Sequence, residues 1–164
     1  MGEHGLVELD AGEMAVAQSV AAMRNGINRA TNVANSRVGP QSDYQTDLDG
    51  LVAEIAWAKW KNCYPDLTVS PRSGGADAIV GRYRVDVKAT RKERGRLLAR
   101  PSKEIGDADI YVLAVVDQNR VTFRGWAFAN ELIHAQNLTD LGHGPTYALE
   151  QERLRGFQDG AKNK

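Results

Sequence analysis

Asp77, Asp86 and Lys88 stand in "GGADAIVGRYRVDVKAT" (Gly74 to Thr90), a stretch that otherwise reads as an apolar hairpin. Strands are depleted in aspartate, so these charges either lie on a solvated outer face or form a site. If Gly81-Arg82 is a two-residue loop of the Gly-X, type II′ kind, Val80 faces Tyr83, Ile79 faces Arg84, Ala78 faces Val85, and Asp77 faces Asp86. Strand alternation then separates two faces. Ala76, Ala78, Val80, Tyr83, Val85, Val87 and Ala89 make a core face, while Asp77, Ile79, Arg84, Asp86 and Lys88 make the other. Directly opposed carboxylates, with Cβ atoms about 4.5–5.5 Å apart, repel and weaken the pair. A divalent cation between them removes that penalty, and one or two carboxylates completed by water suit Mg²⁺.

A third acid extends the pattern. Glu54 in "DLDGLVAEIAWAKW" is the only acid between Leu51 and Trp60, set among Val52, Ala53, Ile55, Ala56 and Trp57. A glutamate at the rim of an apolar stripe is commonly a snorkelling surface residue. Its place one helix upstream of the hairpin makes it a candidate ligand as well.

The elements that must position these residues follow from hydrophobic period and punctuation. Ala11–Ala30, alanine-rich and free of proline, reads as a helix. "TNVANSRVGPQSDYQ" is a polar loop or linker around Gly-Pro. Asp47–Lys61 is the strongest helix, with Asp47 or Asp49 at its N-terminus and "NCYPDL" ending it. The period then falls to 2. "LTVSP", Ala76–Val80 and Tyr83–Thr90 read as strands, Asp109–Val116 as a central strand covered on both sides, and Arg120–Trp126 as its neighbour across a "DQN" turn. Trp126–Gln136 looks helical. Beyond Asn137 a loop, a short helix near Tyr147–Arg155 and a frayed tail are expected. The result is an α/β layer on a mixed sheet, divided into an N-terminal helical arm and linker (1–45), a core (46–136) and a C-terminal segment (137–164).

Bulk properties narrow the classes. Among the 164 residues, 42% are hydrophobic and 26% charged, the balance of an ordinary globular chain rather than a disordered or membrane one. No apolar run approaches the roughly 20 residues of a bilayer span. The acidic "MGEHGLVELDAGE" has no basic region followed by an apolar one, so no signal peptide is expected. Cys63 is the single cysteine, which excludes internal disulfides and cysteine-based zinc clusters. A cytoplasmic location is the default expectation. His4, His134 and His143 are scattered without a partner pattern. The net charge is zero, yet nine basic residues and two acids fall between Arg82 and Lys103, leaving +7 there and −7 elsewhere. Such a segment is either a solvated arginine-rich loop or a face for a polyanion.

Glu54, Asp77 and "DVK" (Asp86, Val87, Lys88) together resemble the PD-(D/E)XK nuclease superfamily, the restriction-endonuclease-like fold. Its pattern is a glutamate on the first core helix, an aspartate at the second core strand and Asp/Glu-X-Lys on the third, in αβββαβ order. The resemblance covers about residues 47–134; the eponymous proline is absent. It implies that Asp77, Asp86 and the Val87 carbonyl bind Mg²⁺ or Mn²⁺, with Glu54 completing the shell directly or through water. It implies that Lys88 positions the attacking water and steadies negative charge at phosphorus. Thr90, Arg91, Lys92, Arg94, Arg96, Arg100 and Lys103 would then grip DNA phosphates. The expected activity is metal-dependent phosphodiester hydrolysis in DNA, by an endonuclease whose small size suits a phage or mobile element, acting in the host cytoplasm if so encoded. A structure-selective enzyme such as a Holliday-junction resolvase, which a homodimer would favour, is the alternative. So is a non-catalytic nucleic-acid-binding module on the same fold.

Overall fold

In the computed structural model, residues 5–31, 42–70 and 76–157 are described. The chain folds as an α/β protein around a mixed five-stranded sheet. Strand β1 (Gly5–Glu8) leads into helix α1 (Ala11–Ala30) and helix α2 (Asp43–Lys61). Strands β2 (Ala78–Val80), β3 (Tyr83–Thr90), β4 (Leu97–Ala99), β5 (Ile110–Asp117) and β6 (Arg120–Phe128) follow. A single helical turn α3 (Ala129–Leu132) precedes β7 (Leu138–Asp140) and β8 (Pro145–Leu149). The main sheet runs β1-β6-β5-β3-β2, and β4-β8-β7 form a second, smaller sheet. Only the β3–β5 pair of the main sheet is parallel.

Both long helices carry their own start signals. At α1, the Asp10 side chain accepts from the Glu13 N–H and Glu13 accepts from the Asp10 N–H, a reciprocal capping box. At α2, Ser42 caps by accepting from the Gln45 N–H, so the helix begins four residues before the Asp47 start expected from sequence. Asp47 and Asp49 are instead buried within it. Asn62 closes α2 in the left-handed conformation at φ 53°. Residues 32–41, which hold the expected Gly-Pro linker, lie outside the described residues.

The helices cover one face of the main sheet. Leu51, Val52, Ile55, Ala56 and Trp57 of α2 meet Val85, Val87, Val112, Ala114, Val116, Val121 and Phe123 in one core, which Ala17, Val20 and Ala21 of α1 also join. The small sheet covers the other face, where Leu97, Ala99 and Leu149 meet Tyr111, Leu113, Ala127 and Leu132. Each large aliphatic side chain so buried contributes roughly 1.5–3 kcal/mol. Strand β5, packed on both sides, is the doubly covered strand its continuous apolar run indicates.

Several expectations change. "LTVSP" forms no strand over its described residues: 66–68 are held by Asp66 Oδ1, which accepts from the Thr68 N–H, and by Arg24, which donates to the Asp66 and Thr68 carbonyls. The helix expected at Trp126–Gln136 is shortened: the alternating burial of "RVTFRGWAF" carries β6 on to Phe128, leaving one α-helical turn at Ala129–Leu132 and a 3₁₀ turn at Ala135–Asn137. Nor is there a helix near Tyr147–Arg155; β8 occupies its start and one 3₁₀ turn (Gln151–Arg153) follows. Of the αβββαβ order, α2, the β2–β3 hairpin and the later β5 are present as elements, while among the described residues the first strand and the late full-length helix are not. Segments expected as arm and tail contribute β1, α1, β7 and β8 to the two sheets and their cores. Among the described residues, no helix is long and apolar enough to cross a membrane.

Candidate active site

The β2–β3 hairpin turns at Gly81-Arg82, with Gly81 at φ 60°, a left-handed conformation that glycine adopts without strain. Val80↔Tyr83, Ile79↔Arg84 and Ala78↔Val85 pair as the two-residue loop requires. Side chains of β3 therefore alternate as expected, Val85 and Val87 toward the helices and Asp86 and Lys88 away from them. That second face is only partly solvated. Ile79 is 67% exposed, whereas Asp86, beneath the small sheet, is 2% exposed.

The ladder between β2 and β3 ends at Ala78↔Val85, and Asp77 lies just beyond it. The Asp77 N–H donates to the Val85 carbonyl at 2.9 Å, and Asp77 Oδ2 accepts from the Val87 N–H at 2.7 Å. The expected face-to-face pairing of Asp77 with Asp86 is thus replaced. The Asp77 side chain extends the ladder by one bond and is fixed beside β3. Val87 enters this contact through its N–H.

Glu54 completes the acidic group from α2. Burial raises its carboxyl to about pKa 8; the charge of Asp77 and, more weakly, of Asp86 pushes the same way, against Arg24. Asp77 is raised to about 7, first by burial and then by Asp86, against Lys88, the Val87 N–H and Lys103. Glu54 of α2 therefore feels Asp77 and Asp86, and Asp77, just before β2, feels Asp86 of β3, as perturbed groups at functional sites do. Arg24 steadies Glu54 with an ion pair of 3.5 Å while its other nitrogens hold the 66–68 segment.

Two lysines meet the buried Asp86. Lys88 Nζ lies 2.5 Å from Oδ1, and Lys103 Nζ lies 3.2 Å from Oδ2. The Lys88 contact is an ion pair without hydrogen-bond geometry, so Oδ1 is buried with no hydrogen-bond partner among the described residues. Tyr111, in register with Asp86 across the β3–β5 pair, is fully buried and its hydroxyl likewise has none. Burial, then the nearby Asp86, Asp107 and Asp77 charges, push that phenol upward and keep it protonated. Lys88 also lies 5.9 Å from the Tyr111 ring.

The basic segment divides sharply. Thr90 Oγ1 accepts from the Lys92 N–H and shapes the turn after β3. Arg91 grips Asp49 of α2 at 2.6 and 3.1 Å, and Arg96 pairs with Glu150 at 2.7 Å. Lys103 turns inward to Asp86. Lys92, Arg94 and Arg100 are exposed. Of the residues expected to grip phosphate, then, Arg91, Arg96 and Lys103 hold protein carboxylates in this state. The sequence reading missed the inward turn of Lys103, the Tyr111 hydroxyl and the Arg24 tie. Only Tyr111 left a signal, as the one side chain with a polar tip in "IYVLAVV".

In chemistry the donor set suits a hard divalent cation, being oxygen-only with more than one carboxylate. Among the described residues no three of His, Cys, Asp and Glu converge closely enough to hold a metal ion by themselves. The two ammonium groups lie on the Asp86 oxygens instead. No family model, curated protein or solved structure matches the chain.

Proposed function

We propose that this chain is a divalent-metal-dependent nuclease of the PD-(D/E)XK kind that hydrolyses phosphodiester bonds in DNA. The observation that carries the reading is Asp86, a buried carboxylate beside Lys88, whose charge raises the half-buried Asp77 and Glu54, while Asp77 also raises Glu54. A fold gains little by gathering three repelling acids away from water, and such groupings are characteristic of sites. Asp77, Asp86 and Glu54, with the Val87 carbonyl, would hold Mg²⁺ or Mn²⁺. A bound divalent ion supplies a hydroxide-like nucleophile near neutral pH and neutralises charge on the phosphate.

The remaining roles belong to the chain. Asp77, fixed by the Val87 N–H, presents one carboxylate at a set orientation. Lys88 projects two residues past Asp86 on the same face and places a compact cation where an oxyanion develops. Lys92 and Arg94 offer positive charge at the end of the same strand for backbone phosphates. A homodimer would favour a junction resolvase.

A non-catalytic nucleic-acid-binding module is the second reading, favoured by the neutralisation of Asp86 by two lysines. One experiment separates them: a panel of linear, circular, single-stranded, flapped and four-way-junction DNA incubated with each divalent metal. Cleavage that Asp86→Asn and Lys88→Ala both abolish, while DNA binding survives, supports the enzyme. Binding without cleavage under every metal supports the module.

A further inference from the structure

Resting on that nuclease reading, we infer that Lys103 is a built-in competitor for the metal position: its ammonium holds Asp86 while the site is empty and withdraws as the site loads. Asp86 is 2% exposed and both of its oxygens face ammonium groups, Lys88 on Oδ1 and Lys103 on Oδ2. Each oxygen keeps a second lone pair, but a divalent ion arriving there would stand beside an ammonium already in contact with the same oxygen, and like charges so close repel. Loading is therefore favoured when one ammonium moves away.

The two lysines differ in how they are tied to Asp86. Lys88 sits two residues along the same strand, on the same face, so its stem remains beside Asp86 in any state of the site. Lys103 arrives from the connection between β4 and β5, 17 residues away in sequence. Its backbone closes a turn with Arg100 at 3.0 Å, and the next turn, Glu104 to Asp107, is closed by its own hydrogen bonds. Its contact with Asp86 is also the longer of the two, 3.2 Å against 2.5 Å. A flexible four-carbon stem lets the ammonium swing while the turn stays in place. With its side chain 15% exposed, Lys103 lies at the edge of the buried region, where such a swing reaches solvent or a phosphate.

Regulation follows from the exchange. Lys103 keeps the metal-free acid group from standing unneutralised, and it raises the metal concentration needed to load the site. This reverses the effect of an ordinary supporting residue, whose removal loosens a site and weakens metal binding.

Mn²⁺ binding to the whole chain, followed by calorimetry and by the spin-resonance signal of free Mn²⁺ without DNA, tests the inference. Lys103→Met should bind Mn²⁺ about tenfold more tightly than wild type, equivalent to about 1.4 kcal/mol. Lys103→Arg, which keeps the charge, should stay near wild type and controls for folding. The Mn²⁺ concentration for half-maximal DNA cleavage should fall in parallel in Lys103→Met. If wild type binds Mn²⁺ and Lys103→Met binds it equally or more weakly, Lys103 is a structural partner and the inference is overturned. If neither protein binds Mn²⁺, the nuclease reading falls and the competitor role falls with it.

Discussion

Val85 and Val87 turn one way from β3 and Asp86 turns the other, and both sides are buried. Toward the helices, β3 meets an apolar core in which Trp57, Trp60 and Phe123 pack edge-on or stacked at 5.2–5.6 Å between centroids. Toward the small sheet lie Tyr111 and the buried Asp86 carboxylate with a lysine on each oxygen. The first face is close-packed and almost wholly apolar, the Trp57 indole N–H being its one polar atom left without a hydrogen bond among the ring contacts just named. The second holds a buried carboxylate neutralised by two ammonium groups and leaves the Tyr111 hydroxyl without a hydrogen bond, which costs stability that packing elsewhere must offset. One strand thus carries a stabilising face and a reactive face one residue apart.

The sharpest way to break that contrast is to exchange the consequences of mutation. Asp86→Asn and Lys88→Ala should lower metal-dependent cleavage roughly 10³-fold, the order seen when a preorganised electrostatic contact is lost, while the thermal transition moves little. Phe123→Ala on the other side should do the opposite, costing about 3–5 kcal/mol in denaturant unfolding, with the active-site groups intact in the molecules that remain folded. Comparable stability losses from Asp86→Asn and Phe123→Ala would show that both faces are structural.

Glu54 lies between the two regimes, on the apolar helix but within reach of Asp77. Its carboxyl titrates near 8 in the folded chain and near 4.5 in the unfolded one, and that of Asp77 near 7 against 3.8. Both pKa values are raised, so between about pH 4 and 8 the native state binds more protons than the unfolded state. The stability of the metal-free protein should therefore decline as pH rises through this window, and added Mg²⁺ should reverse part of the decline. Glu54→Gln, which keeps a group able to accept from Arg24 but removes the charge, should gain on the order of 1 kcal/mol at pH 8 while losing activity, the trade expected of a site that stores repulsion. Unfolding curves at pH 5, 6.5 and 8 measure both effects. A flat profile for wild type would mean that the acids are solvated and the reactive face is ordinary surface.

Local signals were legible in the sequence and distant ones were not. The alanine-rich run gave α1 its observed ends, and alternation gave β3 its observed bounds and the hairpin its register. Asp77, Asp86, Lys88 and Glu54 were each visible because a charge interrupts an apolar pattern. What failed depends on remote partners. Strands β4 and β7 have three residues each, too few for a period, and exist because β8 lies between them. "LTVSP" alternates like a strand but is held as an irregular segment by Arg24, more than 40 residues earlier. Lys103 reads like its basic neighbours, and only the fold separates a lysine that meets Asp86 from one that meets solvent.

The smallest effects should come from the rim of the reactive face, where cations of one segment divide by partner. Lys92 and Arg94 make no ion pair among the described residues, so Lys92→Ala and Arg94→Ala should each weaken DNA binding a few-fold. Each should also flatten the dependence of log affinity on log salt by about one unit of slope, with cleavage at saturating DNA unchanged. Arg91→Ala should behave differently, since its guanidinium grips Asp49 on α2 in a bidentate pair; it should cost up to about 1 kcal/mol of stability and leave the salt slope nearly intact. Fluorescence-anisotropy titrations across a salt series, paired with unfolding curves, distinguish the two kinds of cation. Equal slopes for all three variants and wild type would remove this segment from the DNA-binding surface and move the search for it to another face.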